Sequence, residues 1–215
     1  MDTHNLERVS LIKDLGVFFQ VDLNFDVHIN TKINKSFKLI GFIKRSCKNF
    51  QNERTLVLLF NSFILPKLEY CSIIWSPYYE IYKMQIENVQ KKFLKFLFRK
   101  VHGVDPTFLS YEVFLEQFES ATLDIRRSLA CIVYLRKLIQ GTEDNPAFLS
   151  RLPFNCPSRQ LRVHEVFKIS HSRVNVSVNS PLNRICSIAN TLYQKEVDIF
   201  SDSITRIKML WRSET

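Results

Sequence analysis

The 215-residue chain is 46% hydrophobic and 13% aromatic, enough to bury a real core as one domain or two small ones and too apolar for wholesale disorder. Its net charge of +9 is concentrated: residues 28–100 hold fourteen Lys or Arg against four Glu and no Asp, a local +10, so the remainder sums to −1. One contiguous basic third fits a surface facing phosphates, and the competing reading is a solvated basic helix face with no ligand.

In chain order, VSLIKDLGVFF (9–19) reads as a β-strand, with β-branched and aromatic side chains at Val9, Leu11 and Leu15 to Phe19. A turn rich in Asp and Asn, Asp22 to Asp26, separates it from a helical pattern beginning at His28. No strong strand run follows nearby, so the residues alone leave open which strand satisfies its backbone.

Four helical patterns follow. In 28–50 the apolar stripe is Ile29, Ile33, Phe37, Ile40 and Ile43, with Lys32, Lys35, Lys38 and Arg45 off it. The second starts after Asn52 as N-cap and runs through Leu56, Leu59, Phe60, Phe63 and Ile64. Pro66 is expected to kink or interrupt it before LEYCSIIW, and Trp75-Ser76-Pro77 closes the segment. The third, 81–100, aligns Ile86, Val89, Phe93, Phe96 and Leu97, while Lys91, Lys95 and Arg99 form an i, i+4, i+8 ladder beside Lys92. The fourth spans about Ser120 to Gln140 and ends at Gly141, a residue suited to a helix C-cap.

Short connections predict an antiparallel bundle in which the first and third helices share a core and show their lysines to one side. The expected fold is therefore mainly α: a helical bundle with a short N-terminal β-strand or hairpin and a helical, loop-rich C-terminal part. Its parts are 1–27, a basic bundle over 28–101, and 102–215, opened by the turn at His102 to Pro106. Beyond Gly141 a proline-rich stretch (145–162) wraps the surface, RQLRVHEVFKI (159–169) is a candidate strand, and 180–193 reads as a helix with Pro181 at its first position.

Catalytic signatures are missing. The four Gly, at 16, 41, 103 and 141, never cluster as a phosphate-cradling loop requires, and no two Asp are adjacent to hold paired magnesium ions. GxSxG and HExxH do not occur. Cys156, His164, His171 and Cys186 are the best metal candidates, but their spacing matches no zinc pattern. The expectation is no enzyme, no cofactor, no metal and no small-molecule substrate.

The five cysteines, without a CxxC, read as reduced, buried thiols of an intracellular protein, nuclear or cytoplasmic. Neither a signal peptide nor a spanning helix is expected, because LVLLFNSFIL (56–65) is broken by Asn61 and Ser62. Trp75 and Tyr78 could stack on bases, while apolar neighbours Ile73 and Ile74 favour Trp75 as core.

LIKDLGVFFQVDLNFDVHI, LEYCSIIWSPYY and IENVQKKFLKFL, taken in this order, resemble the C-terminal part of reverse transcriptases of non-LTR, jockey-like retrotransposons. LDIRR (123–127) and NSPLNRICSIAN followed by VDIF (179–200) continue the likeness over nearly the whole chain. The resemblance implies that KDLGV belongs to the hairpin at the end of a palm and that the helices form a thumb, which grips the template–primer duplex. The family's paired catalytic aspartates are not in this sequence, so polymerisation would need a palm from another polypeptide. The implied partner is an RNA or DNA duplex or hybrid, contacted through Lys35, Lys38, Lys91, Lys92, Lys95 and Arg99. Arg126 and Arg127 match the family's paired arginines, with a structural ion pair to Glu or Asp as the alternative. Two other readings stand beside this one: a protein-interaction module working through an unpaired strand edge and exposed apolar faces, and a retroelement remnant without retained function.

Overall fold

The computed structural model describes residues 9–156 and 165–212. It is mainly helical, with one two-stranded hairpin at the N-terminal end. The expected N-terminal β-strand or hairpin is a hairpin. The stretch is two strands, β1 (Leu11–Asp14) and β2 (Val17–Gln20), paired antiparallel with Asp14 opposite Val17 and Leu11 opposite Gln20. The fold occurs because Leu15 (φ 43) and Gly16 (φ 85) both take positive φ, the condition for a two-residue turn whose twist matches the strands. The strand thus carries its partner within its own sequence.

Val17 is 2% exposed and docks the hairpin on the helices. Three polar contacts hold it there: the Phe18 amide donates to His28 Nδ1 (3.2 Å), the Tyr70 hydroxyl to the Leu15 carbonyl (3.0 Å), and the Tyr78 hydroxyl to Asn24 Oδ1 (2.7 Å).

Helix α1 (Asp26–Ser46) buries His28, Ile29, Ile33, Ser36, Ile40 and Ile43, the stripe expected, with Phe37 half-buried. Asn52 caps α2 (Glu53–Leu59) by accepting from the Thr55 amide. Before Pro66 the α-helix is interrupted, as expected, although the helical run continues. A π-helical turn at Phe60–Ile64 precedes α3 (Leu65–Glu69), with Pro66 near its start. The Leu65 amide reaches back to the Phe60 carbonyl, and this wider turn absorbs the irregularity that a missing N–H imposes.

A short α4 (Ser72–Trp75) leads to α5 (Glu80–His102), which buries Ile86, Val89, Phe93, Leu94 and Leu97. Contacts pair Phe37 with Lys92, Lys44 with Phe96 and Lys48 with Lys100, so α1 and α5 run in the same direction with the α2–α3 helix returning between them. Phe60 stacks on Phe93 at 4.4 Å in the middle of this core.

The first core runs past residue 101: Phe114 and Phe118, from α6 (Tyr111–Gln117) and its end, and Leu123 all belong to it. A second core forms on α7 (Leu123–Ile139), which ends just before Gly141 at φ 70, and on α10 (Pro181–Gln194), with Pro181 at its start. Two single turns, α8 (Pro146–Leu149) and α9 (Asn175–Val178), and α11 (Ile204–Arg212) complete the described chain. Of the candidate strand at 159–169, residues 159–164 lie outside the described residues, and Phe167 makes one isolated bridge to Phe154. Among the described residues no helix is long and apolar enough to cross a membrane.

Candidate nucleic-acid interface

The sequence-predicted cations divide into three sets by their surroundings. Lys35, Lys38, Lys92 and Arg99 are exposed, Lys91 and Lys95 are half-buried, and Arg126 and Arg127 belong to a different place altogether.

The α1–α5 seam organises Lys92 and Arg99 of the first set. Lys92 of α5 lies with its ammonium 4.7 Å from the Phe37 ring of α1, and Lys44 of α1 lies 4.9 Å from the Phe96 ring of α5. Each helix thus pins a lysine over an aromatic face of the other, which holds two flexible cations at the seam. Partial burial pulls the Lys44 pKa below its usual value, and the nearby Arg99 and Lys92 lower it further, as in a concentrated patch of like charge. Arg99 bonds Asp105 at 2.9 Å, but both side chains are more than half exposed, so water screens this pair heavily. Lys91 rests its ammonium 5.6 Å from the Tyr111 ring.

A second group lies towards the hairpin. Lys32 has its ammonium 5.4 Å from the Tyr70 ring, and its pKa is lowered by burial and by Lys35, Lys67 and Lys13. Lys44 and Lys32 were not among the predicted contacts. Lys44 stands seven residues, about two helical turns, after Phe37 and shares its face, but only the packing of α1 on α5 brings it beside Phe96 and Lys92.

Arg126 and Arg127 do not join these lysines. Arg126 forms a two-pronged ion pair with Glu69 of α3, both partners being about one-third exposed. Arg127 is 2% exposed and reaches Asp124 at 3.1 Å, a position from which no duplex can be touched. Beneath it, Glu87 accepts from the Tyr111 hydroxyl (2.6 Å) and the Leu123 amide (3.0 Å), capping the first turn of α7. Burial pushes the Glu87 carboxyl up, while these bonds and Arg127 draw it back down. This corner is structural: it ties α5 to α7.

The stacking candidates are occupied too. Trp75 is 1% exposed, donates from Nε1 to the Tyr70 carbonyl (2.7 Å), and lies 5.1 Å from the His28 ring. Tyr78 is half-buried with its hydroxyl on Asn24, and burial and Tyr79 push its pKa up to about 12.

Among the described residues no three His, Cys, Asp or Glu are grouped to hold a metal. Of the four residues considered for one, His164 lies outside the described residues and Cys186 is fully buried, its thiol pushed up to about 11 by burial. The cysteines are free, but Cys156 is exposed, which corrects the expectation of uniformly buried thiols. A cavity of about 620 Å³ on α6 is rimmed by Glu112, Glu116 and Glu119, a charge pattern that repels phosphate. Comparison with known protein families, curated proteins and solved structures finds no match.

Proposed function

We propose that this chain is a non-catalytic, thumb-like module of non-LTR reverse-transcriptase type that grips the backbone of an RNA or DNA duplex or hybrid along the α1–α5 seam. The observation that carries the reading is the reciprocal pinning of Lys44 on Phe96 and Lys92 on Phe37, with exposed Arg99 close by. Lys35 and Lys38 precede Lys44 by nine and six residues, about 180° and 120° round the helix, so they face away from the seam, and Lys35 lies with Lys32 towards the hairpin. Cations fixed on a rigid helix pair contact a duplex backbone in a set register without reading bases. The likeness of the KDLGV, IIWSPYY and IENVQKKFLKFL segments to that family supports the same reading. Arg126 and Arg127 have no part in it.

The test is fluorescence anisotropy of a short RNA–DNA hybrid over a salt series. Binding is expected to be insensitive to sequence and to fall steeply with salt. In a K44Q/K92Q/R99Q variant, affinity should drop about 10–100-fold and the logarithmic salt slope should flatten by about 2–3. A folded variant that binds as tightly as the native chain rejects this surface.

A further inference from the structure

Among the described residues the hairpin has one covered edge and one open edge. In the β1–β2 pair, Asp14 and Val17 flank the two-residue turn and form the bonded pair nearest to it. Alternation then makes Ile12–Phe19 the next bonded pair and points the backbone groups of Lys13 and Leu11 away from β2. The other strand confirms this parity: the Phe18 amide, opposite Lys13, points outward and is taken by His28. Nothing comparable covers β1. Among the described residues no backbone or side-chain group bonds the outward amides and carbonyls of Leu11 and Lys13, and all four β1 residues are exposed. Such an edge is a template for another strand.

We propose that the occupant is β1 of a second copy, paired antiparallel about a two-fold axis through Ile12, so that two hairpins form one four-stranded sheet. The residues on the strand choose this partner. With Ile12 facing its own copy, Leu11 and Lys13 of one chain exchange backbone bonds with Lys13 and Leu11 of the other. Ser10 then stands opposite the carboxylate of Asp14. Val9, 49% exposed, faces Leu15, 82% exposed at the turn. Every apolar side chain in the register meets an apolar side chain or a lysine stem, and the hydroxyl meets the acid. Moving the axis to Lys13 would set two ammonium groups directly opposite each other, which antiparallel pairs disfavour. The register also continues a row already present: Ile12 shares a face with Val17 and Phe19, and Val17 and Phe19 pack on the bundle. Pairing extends that apolar row across the axis.

Lys13 lies outside the residues assigned to the nucleic-acid grip, so the two ideas separate in one set of variants. Sedimentation equilibrium of the native chain should show a weight-average mass that climbs from monomer towards dimer with concentration. Added salt should strengthen the association, because the two Lys13 side chains stand diagonally about 7–8 Å apart. Nucleic-acid binding has the opposite salt dependence. Lys13→Pro removes an outward amide that makes no bond inside the hairpin, and proline is tolerated at edges. The variant should keep the native circular dichroism and hybrid affinity while losing the dimer. Ile12→Cys should give a disulfide-linked dimer on mild oxidation, well above the background of the native cysteines and of Leu11→Cys. A native chain that stays monomeric at its highest soluble concentration leaves the edge to a strand of another protein and overturns the proposal. So does a dimer that persists in Lys13→Pro, or equal cross-linking from positions 11 and 12.

Discussion

The two cores are built by different means. The first is filled by long helices whose rings meet directly: Phe60 on Phe93 at 4.4 Å, and Phe98 against Phe114 at 5.5 Å. The second is held by polar side chains reaching into backbone. Asn190 accepts from the Phe167 amide and donates to its carbonyl (2.9 and 2.8 Å), Asn183 donates to the Ser177 carbonyl (2.8 Å), and Arg136 donates to the Asp202 carbonyl. Irregular chain leaves buried amides and carbonyls that its own secondary structure does not satisfy, so the second core spends side chains on that task. The first core needs such clamps only at its margins, where His28 and Tyr70 hold the hairpin, Trp75 holds the chain before α4, and Glu87 and Gln90 hold the chain entering α7.

This contrast can be broken most forcefully at Phe93. The residue is fully buried, and Phe93→Ala is expected to cost about 3–5 kcal/mol because a large cavity opens between α1, α5 and the π-turn. Urea denaturation followed by far-ultraviolet circular dichroism measures it. A loss under 1 kcal/mol would mean that the aromatic stack does not organise the first core.

Arg184 sharpens the contrast because it joins the two regions. From α10 its guanidinium donates to the Ile73 and Ser76 carbonyls at the end of α4 and to Asn179. Burial lowers its pKa, and the nearby Cys131 opposes that shift. Arg184→Met keeps the stem but strands those carbonyls, with an expected cost of about 2–4 kcal/mol. Hydrogen exchange should reveal α4 and α10 opening together while α1 and α5 stay protected. Equal loss of protection in all four helices would count against a junction role.

His28 places a titration in the first core. Burial, reinforced by Lys32 and Lys35, lowers its pKa from 6.5 to about 4, and its Nδ1 accepts from Phe18, so the neutral ring is the folded form. The unfolded chain therefore takes up the proton first. Stability is complete above pH 6.5 and falls as pH drops towards 4, by about 2 kcal/mol after allowance for solvent screening. In His28→Gln the slope in this window should flatten, and an unchanged slope would place the sensitivity elsewhere.

How far each region was legible depends on the same contrast. Ile29, Ile33, Ile40 and Ile43 recur at helical spacing, as do Ile86, Val89, Phe93 and Leu97, so α1, α5 and their shared core could be read directly. Asn52, Gly141 and Pro181 marked helix ends by local chemistry, and local chemistry survives folding. An N-terminal strand or hairpin was expected, but the turn that divides 9–19 was hard to read because Leu15 sits where Asn or Asp usually signals it, leaving Gly16 alone to announce it. At Pro66 the expected interruption takes the form of a π-turn just before it, a shape that has no sequence signature. The polar clamps of the second core were invisible, since Asn190 and Phe167 are 23 residues apart and nothing in either neighbourhood names the other. Within the candidate interface, the ladder on α5 was readable by period, whereas the choice of Lys44 as its neighbour needed the packing angle of two helices.

Arg126 gives the smallest effect and separates charge that faces solvent from charge that joins helices. It and Arg127 are adjacent, and both look in sequence like further rungs of a basic surface. Arg126 is instead spent on Glu69, linking α7 to α3 across 57 residues of chain. Partial exposure screens the pair, so Arg126→Gln should lower stability by only about 1 kcal/mol, and Glu69→Gln by a similar amount, with the double variant costing less than the sum. Affinity for a hybrid duplex should not change in either variant beyond the small shift that one unit of net charge produces, and the salt slope should keep its native value. A slope that drops by about one in Arg126→Gln would mean that this guanidinium leaves Glu69 for a phosphate when nucleic acid binds. The grip would then extend from the α1–α5 seam onto α7, and the division between a binding core and a self-satisfied one would no longer hold.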